Sequence, residues 1–363
     1  MFSMAIHVPG RAAAGFMIAF LVLAGAAGTV QAAPITYQLV PVGNAGNAHD
    51  TTGYGGVAYG YQIGRYDVTI GQYTAFLNAV AKTDTYALYS TSMATDRAVA
   101  GISRAGSSGS YTYSVINNGG DSANRPITYV TWWHSARFAN WMANGQPTGA
   151  QTNATTENGA YALVGVDNGG VAPAKNITNP NTSAAPTFFI PTENEWYKAA
   201  YYSPVLNSGS GGYSKYATQS NADPGNIVGS GSNQANYKAG GIYSVTQVGG
   251  SIDPNQNYLT DVGAFTNSAS FYGTFDQSGN VFQWNDLDGL PGSSRGLRGG
   301  DWTVQASALS SSFGSTNVPS FGDDSSGFRL ASPVAVPEPS TLVMGLAGIA
   351  CGGWQMYRRR KRA

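Results

Sequence analysis

Gly279-Asn280-Val281-Phe282-Gln283-Trp284, Arg298-Gly299-Gly300-Asp301-Trp302 and Gly327-Phe328-Arg329-Leu330-Ala331 follow one another near the end of the chain's main body. Each places aromatic or aliphatic residues next to glycine or to a single polar side chain. Arg295–Trp302 and Phe328–Ala331 read as short strands. Gly299-Gly300 beside Trp302 reads as a bulge or a close backbone approach. Arg329, between Phe328 and Leu330, reads as a paired, half-buried structural arginine rather than an anion clamp. Trp132, Trp196, Trp284 and Trp302 are most simply core.

Upstream, three short helices announce themselves by their start signals. Thr69-Ile70-Gly71-Gln72 has the form of a capping box, and Tyr73, Phe76, Leu77 and Val80 follow at helical spacing. Thr131 caps a second helix through Trp132, Ala136, Ala139 and Trp141. Thr192-Glu193-Asn194-Glu195 is another capping box, which makes Glu195 a capping residue rather than a general acid. Further apolar runs at Tyr59–Val68, Ile127–Val130 and Phe188–Ile190 read as strands. The polar stretches 143–186, 203–260 and 303–326 carry few periodic elements, and the tract around 205–256 reads as a disordered insert. No fixed-period repeat is present.

The two ends differ in kind from the body. Arg11, the apolar run Ala12 to Ala27 and the small residues Val30 and Ala32 make residues 1–32 a signal peptide cleaved near Ala32, with an uncleaved anchor as the alternative. At the other end, Ser340 to Tyr357 carries no charge and precedes Arg358-Arg359-Arg360-Lys361-Arg362. A stretch of that length can just cross a bilayer, and the basic cluster at 358–362 holds its end on the cytoplasmic side. The single cysteine, Cys351, lies inside this span. The body therefore has neither a thiol nor a disulfide, and packing must hold it together.

The whole chain balances 19 Lys and Arg against 19 Asp and Glu. Setting aside Arg11 and the five basic residues 358–362 leaves 13, and setting aside Glu338 leaves 18, so the body carries about −5. That charge argues against nucleic-acid binding, which wants basic stripes. Charged residues make up 10% of the chain, against roughly 25% in ordinary domains. Tyr, Ser, Thr, Asn and Gly take their place.

With Tyr61-Gln62-Ile63-Gly64-Arg65-Tyr66-Asp67-Val68-Thr69, Arg125-Pro126, Val130-Thr131-Trp132 and Ile190-Pro191-Thr192-Glu193-Asn194-Glu195-Trp196, the three opening segments form an ordered series over residues 55–333. That series resembles the formylglycine-generating enzyme or sulfatase-modifying-factor family. The resemblance implies one α+β domain over 33–333 with a modified C-type-lectin-like fold, low in regular secondary structure. Residues 334–363, with Pro337-Glu338-Pro339, the span 340–357 and the basic tail, resemble the PEP-CTERM sorting signal. This implies an exported protein of a Gram-negative bacterium, anchored in the membrane by its C-terminus. An exosortase would then release it to the cell surface or extracellular matrix.

The family's oxidases hold copper with two thiolates between the Arg-Gly-Gly and Gly-Phe-Arg strands. Here that interval reads Thr303 to Gly314, with Leu309 near the first cysteine position. Both thiols are absent, so no copper and no catalytic residues are expected. A related branch of non-haem iron enzymes uses a histidine cluster. The body has only His49, in a stretch read as flexible, and His134, read as solvent-facing or core-edge. No nucleophile elbow, P-loop or His-Glu-x-x-His motif occurs.

The resemblance also implies a calcium loop, with ligands Asp276, the carbonyls of Gly279 and Val281, and Gln283. All four supply oxygen, but Gln283 stands where the family usually has Glu. The alternative is a tight hydrogen-bonded loop without metal. Asn285-Asp286-Leu287-Asp288-Gly289 has the alternating oxygens of another calcium loop but lacks the rest of the EF-hand pattern and reads as a turn, and Asp323-Asp324 reads as a solvated loop. The expectation is a non-catalytic, surface-released binding scaffold for calcium and polysaccharide. An oxidase of the formylglycine-generating or non-haem metal class is the alternative.

Overall fold

A computed structural model describes residues 34–166 and 170–333 of the chain. Both expected terminal signals, with Pro337, Glu338, Pro339 and Cys351, lie outside the described residues. Among those described, no helix is long and apolar enough to cross a membrane.

The first strands, β1 (Leu39–Val42) and β2 (Tyr61–Gly64), pair antiparallel. Helix α1 (Ile70–Val80) starts at Thr69, whose hydroxyl accepts from the Gln72 N–H while the Gln72 side chain accepts from the Thr69 N–H. A single turn, α2 (Ser92–Thr95), and the hairpin β3 (Ile102–Ala105) with β4 (Thr112–Val115) follow; the sequence pattern had not signalled them. Helix α3 (Trp132–Ala143) begins with the same reciprocal cap, His134 Nδ1 accepting from the Thr131 N–H at 3.4 Å. Helix α4 (Glu193–Tyr201) is capped by Thr192 and Glu195 as expected. In each box two otherwise orphaned donors find partners, which is why these starts are locally legible.

Two short hairpins come next: β5 (Tyr202–Ser203) with β6 (Gly212–Tyr213), and β7 (Lys238–Ala239) with β8 (Ile242–Tyr243). The central sheet has the order β11 (Ser315–Asn317), β10 (Arg295–Arg298), β9 (Phe282–Asn285), β12 (Ser326–Phe328), with β12 parallel to β9. The last strand, β13 (Ala331–Pro333), adds to β2, so one sheet runs β1-β2-β13. The result is a mixed α+β architecture with little helix.

The main core joins α1, α3 and both sheets. Phe76 of α1 lies 5.2 Å, ring to ring, from both Phe138 and Trp141 of α3, and Phe138 meets Phe328 of β12 at 5.4 Å. Each such fully buried ring stabilises the fold by about 1.5–3 kcal/mol. Four buried ion pairs tie the loops down: Arg137–Glu157, Arg295–Asp286, Arg298–Glu193 and Arg329–Asp67.

Several expectations change. Ile127–Val130 is not a strand; Tyr129 has φ +59, which breaks extension, while Ile127 and Val130 are buried. Phe188–Ile190 shrinks to one bridge, Phe189 to Ala331. The tract 205–256 is not a disordered insert, because side-chain amides bind distant backbone. Asn226 donates to the Ile242 carbonyl, Asn236 to that of Tyr258, and Gln247 to that of Asn226. The stretch around His49 is likewise ordered: its Nδ1 accepts from the Gly56 N–H, and Asn47 bonds Gly55 and Tyr213.

Candidate functional site

Arg329 is the hub of the region between the two sheets. Its side chain is fully buried, not half-buried. The Gly-Phe-Arg-Leu-Ala segment leaves the central sheet at Phe328 and joins the other at Ala331, so Arg329 is held where the two meet. Its Nε donates to Gln283 Oε1 at 2.7 Å. One Nη donates to the Gly64 carbonyl, and the other to Asp67 Oδ1 at 2.8 Å and to the Phe275 carbonyl. Burial pushes the Asp67 carboxyl up to about 8, against the pull of Arg329, and Asp276 adds to the rise. Asp67 Oδ2 has no partner.

The loop 276–283 wraps this hub. Asp276 and Asn280 take left-handed backbone, at φ +58 and +66, and Gly279 lies between them at +89. Gly279 approaches residue 236 so closely that a Cβ would sit 2.3 Å from the Asn236 carbonyl oxygen. Asn280 bonds across to Asn236 and Thr260.

Three of the four expected calcium ligands have hydrogen-bond partners; the fourth, the Val281 carbonyl, has none among the described residues. Asp276 Oδ2 accepts from the Gly263 N–H at 2.7 Å, and the Gly279 carbonyl accepts from the Val281 N–H at 3.0 Å. Gln283 Oε1 accepts from both Trp196 Nε1 and Arg329 Nε, each at 2.7 Å. Its Nε2 donates to the Asp276 carbonyl at 2.7 Å. Burial pushes Asp276 up to about 6, opposed by the Gly263 N–H and by Arg329.

In the interval Thr303 to Gly314 the expected first thiol position is filled by hydrocarbon. Leu309, at the end of a 3-10 turn (Ala306–Leu309), is fully buried and clusters with Tyr216, Ala235 and Tyr237. Gly300, at φ +74, admits it: a Cβ there would stand 2.7 Å from Leu309 Cδ1. The close approach expected of Gly299-Gly300 is thus twofold, Gly300 against Leu309 and Gly299 against the Gln277 carbonyl and Trp196.

The remaining candidates separate in space. His134 serves the α3 cap, and burial, with Arg137 adding, lowers it to about 3. The Asn285–Gly289 segment is a turn, closed by the Gly289 N–H on the Asp286 carbonyl, but the Asp286 side chain is buried beside Arg295 and the Tyr161 hydroxyl, and burial raises it to about 7. Asp323 accepts from Ser325 and Ser326 at the start of β12. Among the described residues, no group of three or more His, Cys, Asp or Glu is placed to hold a metal.

Asp324 is the exposed-side member of an acidic group with Asp96, Asp301 and Asp323. Burial first, then those three charges, raise it to about 6. A carboxyl raised on folding contributes stability in its protonated form, and that contribution is lost as pH rises through the folded value. Urea midpoints should therefore fall between about pH 4 and about 6, and Asp324→Asn should flatten that fall. A midpoint-versus-pH series on both proteins checks this.

A cleft of about 390 Å³ opens beside the hub between the start of α1 and residues 261–262, lined by Gln38, Tyr66, Asp67, Gln72, Asn124 and Asp261 among others. Tyr66 is held by stacking on Phe275 at 5.5 Å, with the Arg65 guanidinium over both rings.

The mixed α+β architecture with little helix is consistent with a sulfatase-modifying-factor type of domain. The Sulfatase-modifying factor enzyme 1-like domain matches residues 42–334, and the chain belongs to that family. Among solved structures it is similar to CarF (19% identity, 82% of this chain and 99% of that one, TM-score 0.44). It is similar as well to Treponema denticola variable protein 1 (18%, 82% and 95%, 0.45) and to PvdO from Pseudomonas aeruginosa (16%, 82% and 92%, 0.38). No curated protein matches the chain.

Proposed function

We propose that this is a non-catalytic member of its family: an exported scaffold with a modified C-type-lectin-like fold that binds extracellular polysaccharide. One observation carries the non-catalytic part. The segment in which two thiolates would hold copper contains no cysteine, and its Leu309 is locked in an apolar cluster. Hydroxyls and hydrocarbon cannot replace soft thiolate ligands.

The cleft beside Tyr66 supports the choice of ligand. A fixed aromatic edge, the amides of Gln38 and Asn124, and the Asp261 carboxylate suit a sugar ring, whose faces are apolar and whose rim is hydroxylated. The signal peptide at 1–32 and the Pro337-Glu338-Pro339 segment support delivery through an exosortase to the surface or matrix.

Two measurements on the full chain test this. Incubation with copper and a cysteine peptide should yield no aldehyde, whereas stoichiometric copper binding with aldehyde formation overturns the reading. Titration with purified exopolysaccharide should show binding that weakens about tenfold in an Asn124→Ala, Asp261→Ala double variant, the size of one or two hydrogen bonds. Equal affinity in that variant, or no binding at all, removes the cleft as the site.

A further inference from the structure

We propose that the Gln283 side-chain amide does the structural work of a divalent cation in loop 276–283, so that the fold of this domain is independent of calcium. Three observations converge on Gln283.

The first is the direction of the amide. Trp196 Nε1 and Arg329 Nε are obligate donors, and both reach the same side-chain atom at 2.7 Å. That atom must be the oxygen. The NH2 group is thereby forced toward the Asp276 carbonyl, where it donates at 2.7 Å. A glutamate at this position would keep one oxygen for Trp196 and Arg329 and turn its second oxygen toward Asp276, where a cation could use it. Glutamine turns a donor there instead.

The second is saturation. Gln283 Oε1 already has two donors, the Gly279 carbonyl has the Val281 N–H, and Asp276 Oδ2 has the Gly263 N–H. A cation would have to displace a donor from Gln283 Oε1, whose two lone pairs are both used, and the lone pairs left on Asp276 and the Gly279 carbonyl fall short of the six to eight oxygens calcium wants.

The third is charge. The nearest positive group, the Arg329 guanidinium, is wholly buried and already bonded to Gln283. A divalent ion sharing that oxygen would meet the guanidinium in a poorly screened interior. Without the extra negative charge of a glutamate, nothing at position 283 offsets that repulsion.

The amide also closes the loop on itself, joining its first residue, Asp276, to its last, Gln283. A metal bridging the two would impose the same closure.

The test is thermal unfolding of the full chain, in mild detergent, with calcium alone as the probe. The wild-type midpoint should be the same in millimolar calcium and in chelator. A midpoint that rises with calcium and falls with chelator overturns the proposal. The Gln283→Glu variant supplies the converse. In chelator it should melt below wild type, because the Asp276 carbonyl loses its donor and a carboxylate is buried. Calcium should then raise it by several degrees, while magnesium, which demands tighter octahedral geometry, should do so less. A folded Gln283→Glu protein that ignores calcium also overturns the proposal. Should that variant fail to fold, the wild-type comparison decides alone.

Discussion

Arg329→Met should lose about 3–5 kcal/mol of stability, a large share of the roughly 5–15 kcal/mol that holds a domain folded. Methionine fills similar space but donates nothing. Asp67, already without a partner at Oδ2 and raised by burial to about 8, would lose the guanidinium at Oδ1 as well, which leaves a fully buried carboxyl with no partner at either oxygen. The carbonyls of Gly64 and Phe275 and the Gln283 oxygen lose donors at the same stroke. The pH dependence gives a second readout. Arg329 is what holds the Asp67 carboxyl down, so with it gone the carboxyl rises further, and the variant should recover stability as pH falls from above about 8, where wild type has levelled off. Adding Asp67→Asn should restore part of the loss and abolish that recovery, while the Gly64 and Phe275 carbonyls, left without their donor, keep the double variant below wild type. Chemical denaturation of the three proteins at two pH values measures all of this. An Arg329→Met protein as stable as wild type would show that the hub is incidental.

Gly279→Ala comes second in expected size, at about 2–5 kcal/mol. Two separate penalties add. The residue sits at φ +89, where an L side chain is strained. Its new Cβ would also fall 2.3 Å from a backbone oxygen, which cannot swing away as a side chain could. Relief requires parting residues 279–280 from 236, and the Asn280 N–H bond to the Asn236 carbonyl would go with it. Gly273→Ala is the matched control. It is also at positive φ, but the nearest atom to its Cβ is 4.0 Å away, so it isolates the conformational penalty alone. If the two variants were equally stable, the close approach would contribute nothing.

What could be read from the chain followed the range of each signal. The three capping boxes are written within four residues, and all three helices start where Thr69, Thr131 and Thr192 put them. The strands were placed less well because their lengths depend on partners. Tyr59–Val68 narrows to Tyr61–Gly64, where β1 and β13 supply pairing, and the Ile127–Val130 run loses its extension at Tyr129. The 205–256 tract misled for a related reason. Its order comes from amide side chains reaching backbone elsewhere, and composition alone makes such residues look like linker.

At the site, the residue types were visible and the couplings were not. Arg329 was singled out, yet its partner Asp67 lies 262 positions away with no motif to link them. Gln283 was recognised as the odd member of its loop. What made it decisive was its contact with Trp196, on a helix that joins the loop only in three dimensions. Leu309 was placed near the missing thiol, and only the packing of Tyr216 and Tyr237 around it shows that the space is filled.

The β1-β2-β13 sheet has a further consequence, in time rather than in space. Residues 61–67 cannot finish their hydrogen bonding until residues 328–333 arrive. The Gly64 N–H waits for the Leu330 carbonyl, β2 for its second neighbour, and Asp67 for its arginine. A chain made or exported from its N-terminus must therefore hold its first strands open until almost the whole body has emerged. Closing a loop of that length before any reward makes for slow, late, all-at-once assembly. Early-emerging intermediates would expose the Tyr61 edge, and they are the species on which a chaperone would act.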